Sequence, residues 1–284
     1  MTEKIFSTES ITLNYEEGSP SGSPMLLLHA LSTNIRSFDS LIPELEKYGH
    51  IYALDLRGHG KSARAKSYKL QDYLLDVMSF IKDCIKEPTV VFGHSVGGML
   101  GIMLAASYPE LVKALIIGDS IISNEFHREV TLNTRDAMIY WRELAQSSSL
   151  DTIVSGLKQQ LCPIPGQVEP VSAYKIFDDD FFCFRANTIN QVDPESLTAD
   201  IDRFDETYAA YIPDQLFPEI QCPVLLLQAN PDLGGLVRDE DVMRALSLLP
   251  NAIHVKINSV GHYLHMLDKD PVSKAVISFM KGLR

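Results

Sequence analysis

The stretch VVFGHSVGGMLG (90–101) runs from an apolar segment through Gly93-His94-Ser95-Val96-Gly97 into a series of small residues. A serine between two glycines, where a buried strand should give way to a helix, decides how the chain is read. On a tight strand-to-helix turn the serine is lifted above the end of the sheet, where its hydroxyl can meet a substrate. Gly93 and Gly97 permit the close approach of strand and helix, and Gly98 and Gly101 continue a small-residue face. The N–H groups that open such a helix have no partner within it, so they favour a negative oxygen near Ser95.

Working outward, the flanking sequence supplies a parallel sheet. Apolar segments at 25–30 (MLLLHA), 50–56 (HIYALDL), 89–94 (TVVFGH) and 112–119 (VKALIIGD) each have the length of one strand and are rich in branched aliphatic residues. Between the second and third, Leu70, Tyr73, Leu74, Val77, Ile81 and Ile85 keep the spacing of an amphipathic helix. Such alternation implies right-handed crossovers, and therefore an α/β fold with a mostly parallel sheet and helices on both faces. After Asp119 the alternation stops, in a mixed segment that holds Trp141 and the aromatic run DDDFFCF (178–184). It resumes with CPVLLLQAN (222–230), a helix near 238–248, AIHVKI (252–257) and a terminal helix from about Pro271. The expected organisation is a core of 1–121 and 218–284 interrupted by a mainly helical insertion, 122–217.

A serine hydroxyl is a weak nucleophile without a base, so a histidine is expected at a later strand end, with an acid between serine and histidine in the chain. In NSVGHYLHMLDKDP, His262 follows the last expected strand on a turn marked by Gly261. His262 is the expected base. His265 makes a His-x-x-His pair with it, but no third ligand accompanies them, so no metal is expected. His59 and His94 sit in Gly-flanked turns and are expected to serve local hydrogen bonding, while Asp55 and Arg57 are expected to pair with each other.

Composition narrows the partners. The 284 residues carry a formal net charge of -12, which argues against nucleic acid as a partner because a polyanion requires a basic footprint. No segment approaches the roughly 20 uncharged apolar residues of a membrane span. The opening residues MTEKIFSTES lack the apolar region of a secretory signal, so no membrane partner and a cytoplasmic location are expected. Cys84, Cys162, Cys183 and Cys222 have neither disulfide-framework nor metal-ligand spacing and are expected to be buried free thiols.

Several ordered motifs together resemble the α/β-hydrolase superfamily along most of the core. LLLHALSTNIRSFDSLIPEL is similar to the family's oxyanion loop and following helix, DLRGHGKS (55–62) to the loop after the next strand, GHSVGG to the nucleophile elbow and VGHYLH to the histidine loop. The resemblance implies that fold, acyl-transfer chemistry without a cofactor, and a cap over the site. It implies backbone N–H groups of Leu31 and Val96 as oxyanion donors, with Ala30 standing where the family usually has glycine. It also implies Asp232, in ANPD (229–232), as first choice for the acid, with Asp119 as the alternative because some relatives use that strand end. Trp141, Phe181 and Phe182 of the insertion are candidates for an apolar substrate pocket.

The leading expectation is a serine hydrolase of small or medium carboxylic esters, thioesters or lactones, acting on a small-molecule substrate as a monomer or homodimer. Carbon–carbon bond hydrolysis of a diketone-like substrate, using polar residues near Trp141 and Arg142, is the second enzyme reading. A low-turnover ligand-binding homologue is the reading from a different class, because fold alone does not set function.

Overall fold

The computed structural model describes residues 1–147, 149–162 and 169–283. Eight strands form one sheet: β1 (Thr2–Ser7), β2 (Thr12–Glu17), β3 (Ser23–Leu28), β4 (Gly49–Leu54), β5 (Thr89–His94), β6 (Val112–Gly118), β7 (Val224–Ala229) and β8 (Ala252–Ile257). Their spatial order is β1-β2-β4-β3-β5-β6-β7-β8. From β4 to β8 every neighbouring pair is parallel, while β1 and β2 form an antiparallel hairpin on β4.

The six strands expected from sequence are these parallel ones. Their continuous apolar character follows from burial on both faces, with successive side chains feeding opposite cores. Leu26 and Leu28 enter one core with Leu100 and Leu104. Met25 and Leu27 enter the other with Val272 and Val276. The β1–β2 hairpin was not expected, since β1 (TEKIFS) is largely exposed and carries Glu3 and Lys4, as suits an edge strand.

The main helices are α1 (Leu70–Ser79), α2 (Val96–Ser107), α3 (Asn124–Leu144), α4 (Leu150–Gln159), α5 (Asp179–Gln191), α6 (Pro194–Asp202), α7 (Asp239–Leu248) and α8 (Lys269–Gly282). The helix expected over 70–85 is α1 followed by a π-helical turn at 80–85, which ends where Lys86 adopts φ 66°. Helices α3 to α6 lie between β6 and β7 and have an apolar cluster of their own that includes Ile153, Leu157, Phe182, Ile189 and Leu197. The acidic residues before the aromatic run open α5: Asp178 accepts a hydrogen bond from the Phe181 N–H at 2.8 Å, with Asp179 and Asp180 in the first turn.

Two expectations are corrected. Arg57 pairs with Asp76, through Nε and Nη2 at 2.7 and 2.8 Å, and not with Asp55. Asp55 instead accepts from Asn14 and from the backbone N–H groups of Ile35 and Lys61. The four cysteines are free thiols, but Cys183 is exposed and none is fully buried. Among the described residues no helix is long and apolar enough to cross a membrane.

Candidate active site

The parallel strands end together at one edge of the sheet, and the expected site residues lie in the turns and loops beyond those ends. Past β5, Ser95 adopts φ 55° and ψ −120°, a strained conformation for a residue with a side chain. Its N–H reaches across to the Gly118 carbonyl at 3.0 Å, so the turn is tied to the end of β6. Glycine is required on the helical side of the turn: a Cβ on Gly97 would lie 2.1 Å from the Leu28 carbonyl oxygen. The elbow therefore forms only because strand β3, strand β5 and helix α2 converge without intervening side chains.

One strand over, Asp119 follows β6 with φ 40° and is fully buried. Its Oδ1 accepts from the Ala229 N–H at 3.0 Å, and its Oδ2 accepts from the Leu236 N–H at 2.9 Å. Oδ2 also accepts from His262 Nδ1 at 2.8 Å. A carboxylate accepts only, so this contact puts the ring proton on Nδ1 and leaves Nε2 with its lone pair. The imidazole is thus held in one tautomer and one orientation.

The acid expected first is corrected here. Asp232 sits in an exposed turn where Asn230 Oδ1 accepts its backbone N–H at 3.0 Å. The carboxylate on His262 is that of Asp119, because the two backbone donors that fix it come from the end of β7 and the loop after it. ANPD (229–232) follows the strand as the resemblance implies, but its carboxylate is not the one that His262 meets.

The His262 loop is also anchored to the elbow. His94, directly before Ser95, lies 2.8 Å by Nε2 from the His262 carbonyl, to which it donates, and the two rings are 4.6 Å apart. Burial holds the His94 imidazole well below its usual range, as suits a neutral ring.

The loop after β3 is braced by two buried histidines. His29 Nδ1–H donates to the Ala30 carbonyl at 2.8 Å, while its Nε2 accepts the Leu56 N–H at 3.0 Å. His59 Nδ1–H donates to the Arg57 carbonyl at 2.8 Å, and its Nε2 accepts the Ser32 N–H at 3.1 Å. Burial lowers them to about 4 and about 3 respectively, so both act as neutral spacers. The left-handed residue of this loop is Ser32, φ 56°, and not Ala30, so the methyl group at 30 meets no such backbone conflict. Neither the Leu31 nor the Val96 N–H has a hydrogen-bond partner among the described residues.

The insertion contributes an aromatic wall. Phe177 and Phe181 stack at 4.2 Å, Phe181 meets Tyr263 edge to face at 5.2 Å, and the Tyr263 ring lies 5.6 Å from that of His262. Trp141, Phe177, Phe181, Phe182 and Tyr263 are among the residues lining a cavity of about 160 Å³. The three aromatic residues expected there are all present, with Phe182 buried and Trp141 and Phe181 half-buried. Arg142 is not in the cavity wall and bonds to Asp202 at 2.6 Å; Trp141 Nε1–H donates to Gln160 Oε1 at 2.8 Å, and the cation over its ring is a different arginine. Arg185, whose guanidinium carbon stands 4.9 Å from the Trp141 ring centre, had no motif to single it out; nor had Tyr263, apart from its place next to His262.

Comparison with known proteins agrees with this architecture. A family model described as the alpha/beta hydrolase fold matches residues 23–155. The chain is 34% identical to the 2-(acetamidomethylene)succinate hydrolase of Mesorhizobium japonicum over 110 residues, 38% of this chain and 39% of that protein. It is 35% identical to a serine hydrolase-like protein of Homo sapiens over 106 residues, 36% of this chain and 52% of that one. These alignments span less than two thirds of either relative. Among solved structures, a hydrolase from Pseudomonas aeruginosa PA01 superposes with a TM-score of 0.77 over 98% of each chain, at 17% identity. Sheet order, elbow and these likenesses agree: the chain has the α/β-hydrolase fold, and its residues 23–155 match the model of that family.

Proposed function

We propose that this protein is a serine hydrolase of small or medium carboxylic esters, thioesters or lactones, with the inserted segment 122–217 acting as a cap. The observation that carries the reading is the Asp119–His262 contact of 2.8 Å beside an elbow serine. Ser95 Oγ attacks the substrate carbonyl while His262 Nε2 takes its proton. The N–H groups of Leu31 and Val96 receive the negative oxygen of the tetrahedral intermediate. His262 then returns the proton to the leaving oxygen or sulfur, which departs and leaves an acyl group on Ser95. Water, deprotonated by the same imidazole, releases the acid and restores the serine. Asp119 keeps Nδ1 protonated and stabilises the imidazolium formed in each half-reaction. No step requires a cofactor.

Three residues with positive φ support the reading, because Ser32, Ser95 and Asp119 all border the same edge of the sheet. Strain retained at three adjoining strand ends is compatible with selection for geometry over stability.

Labelling with a serine-reactive fluorophosphonate, read by intact mass and peptide mapping, tests it. A single adduct on Ser95, absent in Ser95→Ala and greatly slowed in His262→Ala, is expected. Folded wild-type protein that stays unlabelled would remove the hydrolase reading and favour a ligand-binding homologue.

A further inference from the structure

Arg185 is the most heavily buried arginine of the insertion, only 2% exposed, and among the described residues no carboxylate pairs with it. Burying a guanidinium without a counter-ion is costly, and its neighbours offset the cost only in part. Nη1 donates to the Ser32 carbonyl at 2.7 Å and to Thr188 Oγ1 at 3.1 Å, while Nη2 donates to Ser32 Oγ at 3.2 Å. The ring of Trp141 lies 4.9 Å away and that of Tyr263 6.0 Å.

A guanidinium has five N–H groups, and these contacts use three. The two that remain are Nε–H and the second hydrogen of Nη2, which lie side by side on one edge. Elsewhere in this molecule that edge grips a carboxylate: Arg57 uses Nε and Nη2 on Asp76, and Arg238 uses the same pair on Asp241. Arg185 has the same fork with no carboxylate on it, and it lines the aromatic cavity together with Trp141 and Tyr263. Its contacts with Ser32 place it one residue beyond Leu31, and Tyr263 is next to His262 in the chain.

We propose that Arg185 binds a carboxylate of the substrate, so that the esters or lactones turned over here are those carrying a free carboxylate at short range from the scissile carbonyl. This rests on the hydrolase reading. The cavity of about 160 Å³ is smaller than the roughly 300 Å³ at which pockets for drug-sized ligands begin, and it suits a short acid. Charge and fork geometry set the preference, and the aromatic wall excludes water that would otherwise solvate the anion.

The test compares monoethyl succinate with diethyl succinate, and acetoxyacetate with its ethyl ester, so that the carboxylate is offered on either side of the scissile bond. Wild type is expected to favour at least one anion over its neutral partner by about ten-fold or more in kcat/KM. Arg185→Gln should bring that ratio close to one, and Arg185→Lys should restore part of it. A purely structural strap between α5 and the Ser32 loop would lower anionic and neutral rates together, and that result overturns the proposal. So does a wild-type enzyme that prefers both neutral esters. Should no ester turn over, calorimetric titration of Ser95→Ala with monoethyl succinate decides. Binding lost on adding Arg185→Gln supports the proposal, and binding that is absent or unchanged overturns it. Fluorophosphonate labelling of Ser95 reports the hydrolase reading separately, because a labelled protein without anion preference loses only the role of Arg185.

Discussion

The edge of the sheet and the insertion above it are held by different forces. At the sheet edge, the Asp119 carboxylate accepts three hydrogen bonds, and the elbow at Ser95 is closed by backbone contact at Gly97. In the insertion, the wall around the cavity is made of stacked rings on helices with their own small core, and Trp141 and Phe181 remain half-buried. Backbone hydrogen bonds and close backbone contact fix the first region, whereas ring packing and side-chain hydrogen bonds such as those of Arg185 and Trp141 shape the second. On the proposed reading, reaction chemistry belongs to the region held by backbone hydrogen bonds, and substrate choice to the region shaped by side chains.

The largest expected effect breaks the first region. Ser95→Ala should lower turnover by about 10⁴-fold or more with little change in melting temperature, measured by steady-state ester hydrolysis and thermal unfolding. Asp119→Asn should cost about 10³ to 10⁴ in kcat, because the amide no longer holds the Nδ1–H tautomer of His262. A folded Asp119→Asn enzyme with unchanged kcat would return the choice of acid to open competition.

A stability measurement sharpens the same contrast. His29 and His59 have pKa values in the fold of about 4 and about 3, below the value near 6.5 of an unfolded histidine. As pH falls below about 6.5 the unfolded chain takes up protons that the folded chain refuses, so stability declines with acidity and the loss runs on toward pH 4 to 3. Each histidine contributes at most about 1.4 kcal/mol per pH unit in that window. Urea midpoints should therefore drop between pH 7 and pH 5, and less steeply in His59→Gln, whose Oε1 can accept the Ser32 N–H without titrating.

In the insertion the effects should be smaller. Phe181→Ala should raise KM by up to about ten-fold and leave kcat nearly unchanged, since it removes cavity wall and touches no reacting atom. The smallest effect is expected for Asp232→Asn, whose exposed side chain should leave kcat/KM within about a factor of two.

Much of the core was legible because its signals are local. A buried parallel strand must be apolar along its whole length, and the Gly-x-Ser-x-Gly turn must have small residues where β3 and α2 touch. The N-terminal hairpin was not legible, because an exposed edge strand such as TEKIFS carries no strong pattern. The insertion was legible as a mainly helical interruption, but nothing in FRAN (184–187) marks Arg185 as a buried cation.

Ser95 and His262 could be read directly because each sits on a turn whose neighbouring residues disclose it, and the chain order of strands dictates that both reach the same sheet edge. The acid could not be read that way. Asp119 and Asp232 both follow apolar strands between the serine and the histidine, and local sequence has no means of choosing between them. The choice belongs to contacts far apart in the chain, where the Ala229 and Leu236 N–H groups converge on Asp119 and turn its second oxygen to His262. The same holds for Arg185, whose meeting with Ser32, Trp141 and Tyr263 exists only once the insertion has folded back over the sheet.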